Sequence, residues 1–130
     1  MRVVFDTNIF ISAFVIPGSQ AEKAVSRIIE GRDELVISPD IIKEVLSVLS
    51  SKFGREREPL SHLAVTLLGL GELVRPDQRV SVLRDEPDNR ILECADFGKA
   101  DLIVTGDKEM SRLKEFKGVK IASLREYLEF

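Results

Sequence analysis

The strongest constraint on the fold is an alternation along the chain, in which short runs of β-branched and apolar residues are separated by longer stretches of helical periodicity. Val3-Val4-Phe5, Leu35-Val36-Ile37, Leu102-Ile103-Val104 and Val119-Lys120-Ile121 read as strands, and Val80 to Leu83 adds a short extended piece. Ser19 is placed to cap a helix through Ala24, Val25, Ile28 and Ile29, with Gly31 as its stop. Ser38-Pro39-Asp40 supplies an N-cap, a proline at the first helical position and an acid in the first turn of a helix through Ile41, Val45, Leu46 and Leu49. The stretch from Leu60 to Leu73 is apolar nearly all round, which predicts a helix buried in the domain or against a partner. Asp88 opens a helix through Ile91, Leu92 and Ala95, and a short helix with Leu124, Tyr127 and Leu128 finishes the chain. Strands separated by helices require right-handed crossovers. The expected architecture is therefore α/β, with a parallel sheet of about four to five strands covered on both faces.

Composition narrows the chemistry. A chain of 130 residues, 44% hydrophobic and without a glycine-, proline- or serine-rich linker, is expected to fold as one unit over 1–130. No apolar run approaches the roughly 18 residues of a membrane span, and Met1-Arg2 leads directly into strand-like sequence, so the expected location is the cytosol. One cysteine, Cys94, and one histidine, His62, cannot build a zinc cluster, so any metal must sit on oxygen ligands. A net charge of −3 does not mark a broadly basic nucleic-acid binder, although it permits a local basic patch.

The parallel sheet sorts the acids by edge. Ligands of such folds bind outside the carboxyl ends of the strands, where the following helices begin. Asp6 directly follows the first strand, Glu44 lies about 9 Å into the helix after the second at 1.5 Å rise per residue, Asp88 is at a helix start, and Asp107 follows Leu102-Ile103-Val104 by way of Thr105-Gly106. All four belong to the carboxyl edge. Asp33, Glu34 and Asp101 precede their strands and belong to the opposite one. Singly, Asp88 also reads as an N-cap, Asp107 as a turn residue and Glu44 as a solvated helix position. Jointly, four acids from four segments on one edge would repel and raise one another's pKa unless a cation is present. Hard oxygen ligands suit Mg²⁺ or Mn²⁺, which are completed by water and substrate phosphate oxygens and support metal-assisted phosphodiester hydrolysis. Thr7, Asn8, Asn89 and Thr105 are placed to orient the carboxylates or a metal-bound water.

Phe5-Asp6-Thr7-Asn8 after an N-terminal strand, Ser38-Pro39 followed by Glu44, Arg84-Asp85 with Asp88-Asn89 leading a helix to Cys94-Ala95, and Ala100-Asp101-Leu102-Ile103-Val104-Thr105-Gly106-Asp107-Lys108 together resemble the PIN domain. The similarity spans essentially the whole chain and is greatest to the prokaryotic toxin branch, the VapC-like proteins. It implies a three-layer α/β/α sandwich, a Mg²⁺- or Mn²⁺-dependent ribonuclease, a homodimer and, in the toxins, an antitoxin that blocks the site. Carried over by position, the family's acidic quartet falls on Asp6, Glu44, Asp88 and Asp107. The segment Asp85-Glu86-Pro87-Asp88 departs from the commoner form, with proline directly after the first aspartate, which leaves Asp85 as an alternative third acid. Asp101 matches a recurrent aspartate of the branch and is read as structural, at a helix-to-strand junction.

Lys108 and Arg112, with Lys114, Lys117 and Lys120, form one basic cluster, and Lys52, Arg55 and Arg57 form another; either would hold an RNA backbone, and either also reads as a solvated face. Two other functions fit the fold class. A non-catalytic RNA- or partner-binding module would bind without cutting. A phosphate-transferring hydrolase would need a second acid two residues after Asp6, where Asn8 stands.

Overall fold

The computed structural model of the protein describes residues 1–53 and 57–130. Its centre is a six-stranded sheet of β1 (Arg2–Phe5), β2 (Glu34–Ile37), β3 (Gly71–Leu73), β4 (Leu102–Val104), β5 (Glu115–Phe116) and β6 (Val119–Ala122), in the order β3-β2-β1-β4-β6-β5. The first five members of that order run parallel, and the short β5 pairs antiparallel with β6. Around the sheet lie α1 (Thr7–Val15), α2 (Gln20–Ile29), α3 (Pro39–Phe53), α4 (Arg57–Leu70), α5 (Glu86–Phe97), α6 (Lys108–Arg112) and α7 (Leu124–Leu128). The expected α/β sandwich with a central parallel sheet is present.

After the charged first residues Arg2 and Glu34, the innermost strands are apolar because each is covered on both faces. Val3, Val4, Val36, Ile37, Ile103 and Val104 have no exposed surface, and α5 packs across β1, β2 and β4. Local signals place the helix starts. Ser19 Oγ accepts from the Glu22 amide at 3.2 Å, and Ser38 Oγ accepts from the Ile41 amide at 3.3 Å, just before Pro39.

Several expectations differ from the fold. The apolar stretch after Leu60 does not stay helical to Leu73: α4 ends at Leu70, and Gly71–Leu73 turns into β3 beside β2. Glycine is required there, since a Cβ on Gly71 would sit 2.4 Å from the Leu35 carbonyl oxygen. Nor is α4 sunk in the core, for Leu67 is buried while Val65 is 69% and Leu68 47% exposed. Val80 to Leu83 forms no strand; its backbone is held by side chains of α5 instead. A hairpin not foreseen closes the sheet, with Lys117 and Gly118 at φ of 48° and 86° joining β5 to β6 in the left-handed conformation of a tight two-residue turn.

The amino ends of the strands carry acids that are all matched. Arg2 reaches Glu34, Glu72 and the Gly98 carbonyl, and the Arg2 amide donates to Asp101 at 2.8 Å. Asp33 receives the N-terminal amine at 2.9 Å and the Tyr127 hydroxyl at 2.7 Å.

Candidate active site

The chain leaves β1 toward β2 and β3 on one side and later returns to β4 and β6 on the other, so the order reverses between β1 and β4. A crevice forms outside the carboxyl ends at such a point. Asp6 sits on it. Its amide donates to the Val104 carbonyl of β4 at 3.0 Å, and its side chain caps α1, Oδ1 accepting from the Asn8 amide at 3.3 Å. Its Oδ2 accepts from the Thr105 hydroxyl at 2.6 Å. Thr105 in turn is locked to β6 through its amide and the Ala122 carbonyl, and its Oγ1 accepts from the Asp107 amide at 2.9 Å. One hydroxyl therefore ties the carboxylate after β1 to the backbone of the acid after β4. Asp107 Oδ1 accepts from the Met110 amide at 2.9 Å and caps α6.

Asp88 reaches the same place from α5. The helix begins at Glu86 rather than at Asp88, and Asp85 occupies the N-cap position without a side-chain capping bond, which leaves Asp88 in the first turn. Its carboxyl lies near enough to that of Asp107 for the two to disfavour joint ionisation. Burial, followed by the charges of Asp6, Asp85 and Asp107, pushes the Asp88 pKa up to about 7. Burial also raises Asp6; the Thr105 and Asn8 hydrogen bonds oppose this, and Asp107 and Asp85 add to it. Asp85 is thus part of the crowding, although the quartet inferred from the sequence omitted it.

Glu44 stands to one side on α3, half-buried in a cleft of about 250 Å³ that it shares with Thr7, the neighbour of Asp6. Among the described residues no three His, Cys, Asp or Glu side chains are drawn together as a closed metal-binding cluster. The donor set nevertheless fits a hard divalent cation. Asp6, Asp88 and Asp107 offer only oxygen, their charges are mutually uncompensated, and Mg²⁺ is held through one or two carboxylates with waters in its other positions.

The flanking residues divide. Thr7 is buried beside Asp6, and Asn8 is exposed and serves Asp6 through its backbone amide. Asn89 is turned away from the acids: its Oδ1 accepts from the Val82 and Leu83 amides and its Nδ2 donates to the Leu83 carbonyl, so it pins the segment before α5. That segment is also held by Glu93, 4% exposed, which accepts from the Val80 amide at 2.7 Å, and by Glu109, which accepts from the Arg84 amide at 3.2 Å. Sequence reasoning missed both glutamates, since nothing in their spacing announces a bond to a loop. Lys108 and Arg112 lie exposed on α6 next to Asp107, and Lys52 is exposed far along α3. Arg55 lies outside the described residues. Lys117 is engaged with Asp96 and the Phe116 ring. Cys94 and Met110 are core residues and His62 is on the surface.

A profile of the PIN domain family matches residues 2–109. An uncharacterised protein of Methanocaldococcus jannaschii is 32% identical over 129 residues, covering 95% of this chain and 83% of that protein. Among solved structures, a chain of VapBC2 from Rickettsia felis, bound to a DNA fragment from their promoter, superposes with a TM-score of 0.67 at 15% identity, covering 95% of this chain and 98% of that one. A chain of VapBC-1 from nontypeable Haemophilus influenzae superposes with a TM-score of 0.67 at 17% identity, covering 96% and 99%.

Proposed function

The chain belongs to the PIN domain family, and from that premise we propose that it is a Mg²⁺- or Mn²⁺-dependent endoribonuclease, the toxin half of a toxin–antitoxin pair. The observation that carries the reading is the joining of Asp6 and Asp107 through the Thr105 hydroxyl, with Asp88 on Asp107, at the point where strand order reverses. Asp6, Glu44, Asp88 and Asp107 are the proposed metal-holding and catalytic set, within one nuclease unit over 1–130.

A divalent ion bound there would supply an activated water and charge stabilisation at the leaving oxygen of a phosphodiester. The chain's own groups prepare that site. Thr105 fixes which way Asp6 faces, the start of α6 fixes Asp107, and the Asn89 and Glu109 anchors hold the segment that delivers Asp85 and Asp88. Lys108 and Arg112 would meet the RNA backbone as it leaves the acids. An antitoxin chain and a second copy of the protein are the proposed partners, by analogy with the VapBC complexes that share the fold. Among the described residues no helix is long and apolar enough to cross a membrane.

Incubation of wild-type and Asp6→Asn protein with mixed structured and unstructured RNA, in Mg²⁺, Mn²⁺ or EDTA, tests the reading. Cleavage is expected only for wild type with metal. RNA retained intact but bound in every wild-type lane would instead identify a binding module.

A further inference from the structure

Glu44 reaches the proposed acidic set by a different route from the other three members. Asp6 and Asp107 are linked through the Thr105 hydroxyl and Asp88 is close to Asp107, whereas α3 brings Glu44 from the side, with no hydrogen bond to the other three among the described residues. Its placement therefore depends on how α3 sits against α5. The two helices pack on one another. Apolar contact is non-directional, so it fixes the spacing of two helices better than their alignment.

A charged tie supplies the direction. Arg79, in the segment that leads from β3 to α5, uses one nitrogen, Nη1, to reach Asp40 Oδ2 at 3.0 Å and Glu93 Oε1 at 3.3 Å. Asp40 lies in the first turn of α3, four residues before Glu44, which puts the two carboxylates on one face of the helix a turn apart. Glu93 lies on α5, five residues beyond Asp88. The Glu93 side chain is 2% exposed, and its other oxygen, Oε2, accepts from the Val80 amide at 2.7 Å and pairs with Arg90 Nη2 at 2.9 Å. Arg90 also donates to the Val80 carbonyl at 3.1 Å, so α5 holds both backbone polar groups of the residue next to Arg79. A buried carboxylate with both oxygens engaged is a firm anchor, because releasing a partner leaves charge uncompensated away from water.

Resting on the metal-holding set proposed above, we propose that Arg79 is a positioning residue for that set: through Asp40 and Glu93 it braces the first turn of α3 to α5, and so holds Glu44 toward the acids of the crevice. It touches neither the metal nor the RNA. The Arg79 side chain is 63% exposed, and ion pairs at such positions contribute little to folding. Its loss also leaves Glu93 bonded to Arg90 and Val80, so variants at position 79 keep the fold. Charge and position act there in opposite directions. Removing a cation makes the crevice more negative and by itself favours metal binding; losing the brace disfavours it.

The test is calorimetric titration of the protein with Mn²⁺ in the absence of RNA. Arg79→Ala should bind Mn²⁺ about fivefold more weakly than wild type, equivalent to ~1 kcal/mol. Arg79→Lys, whose ammonium can meet both carboxylates, should recover most of that affinity. Adding Arg79→Ala to Glu44→Gln should cause no further loss, because α3 then carries no carboxylate for the brace to aim. Affinity in Arg79→Ala equal to or tighter than that of wild type, or a fivefold loss that persists in the Glu44→Gln background, overturns the brace and leaves the metal site standing. A wild type that binds no Mn²⁺ overturns both. The expected pattern in a protein that cuts no RNA upholds the brace and overturns the nuclease reading.

Discussion

The two edges of the sheet carry similar acids in opposite circumstances. At the amino edge Asp33, Glu34, Glu72 and Asp101 are met by the N-terminal amine, the Arg2 guanidinium, the Arg2 amide and the Tyr127 hydroxyl. At the carboxyl edge Asp6, Asp85, Asp88 and Asp107 press on one another, with hydrogen bonds from Thr105 and backbone amides but no cation among the partners described above. Burial tends to raise Asp33 as it raises Asp88, yet Tyr127 and the terminal amine outweigh it and hold Asp33 below its ordinary value. Matched acids cement the fold. Unmatched acids of the same chemical type cost stability and persist where chemistry needs them.

The largest expected difference between the edges is in turnover. If Asp6 holds the metal as proposed, Asp6→Asn should reduce RNA cleavage by more than about 100-fold, given the 10–100-fold cost of disturbing even a group behind a ligand. Asp101→Ala should leave cleavage within about twofold and lower stability by about 1 kcal/mol through loss of its bond to the Arg2 amide. Equal losses in the two variants would erase the distinction drawn between the edges. Thr105→Val removes the bridge while keeping the shape; an intermediate loss of about 10- to 100-fold in cleavage is expected, with Thr105→Ser restoring most of it. A third effect reverses the usual direction of a core substitution. Asp88→Asn relieves the repulsion and should raise the unfolding free energy at pH 8 by about 1–2 kcal/mol while abolishing cleavage, readable by thermal and denaturant melts.

The smallest effect is the pH profile, and it sharpens the contrast. Asp88 keeps a proton in the folded state, up to about pH 7, that the unfolded chain releases near 3.8, so its contribution to stability falls as pH rises between those values. Melting curves of wild type and Asp88→Asn should accordingly converge near pH 4 and separate to a constant gap above 7. Asp33 runs the other way: its folded pKa is lowered, so its contribution is complete above the unfolded value of 3.8 and is lost as pH falls through the folded one. An Asp33→Asn deficit should therefore stay level across neutral pH.

Much of this arrangement is legible in the residues. The apolar runs of β1, β2 and β4 announce a buried parallel sheet; counting forward from them assigns Asp6, Glu44 and Asp107 to the carboxyl edge, and its place at a helix start assigns Asp88 there too. What is hidden depends on contacts between distant segments. The start of β3 is masked because Gly71-Glu72-Leu73 continues the hydrophobicity of α4, and only the approach to Leu35 forces the change. The Lys117-Gly118 turn was available as a local signal and points to the hairpin. Val80 to Leu83 looks like a strand because it is β-branched and apolar, but its hydrogen bonds go to Glu93 and Asn89. Asp85 and Asp88 cannot be ranked from spacing alone, since they stand only three positions apart and only the fold shows that the Asp85 charge acts on both Asp6 and Asp88.

The way Asp6 begins α1 has a consequence for how such a protein changes over time. Asparagine starts a helix about as well as aspartate does; its Oδ1 can still accept from the Asn8 amide, and its Nδ2 can donate to the Thr105 hydroxyl oxygen in place of the bond Asp6 accepts there. Exchange of one oxygen for an amide nitrogen would therefore silence the edge without loosening the helix. A descendant could shed its chemistry in a single step, keep its architecture intact, and remain available for recruitment to another role.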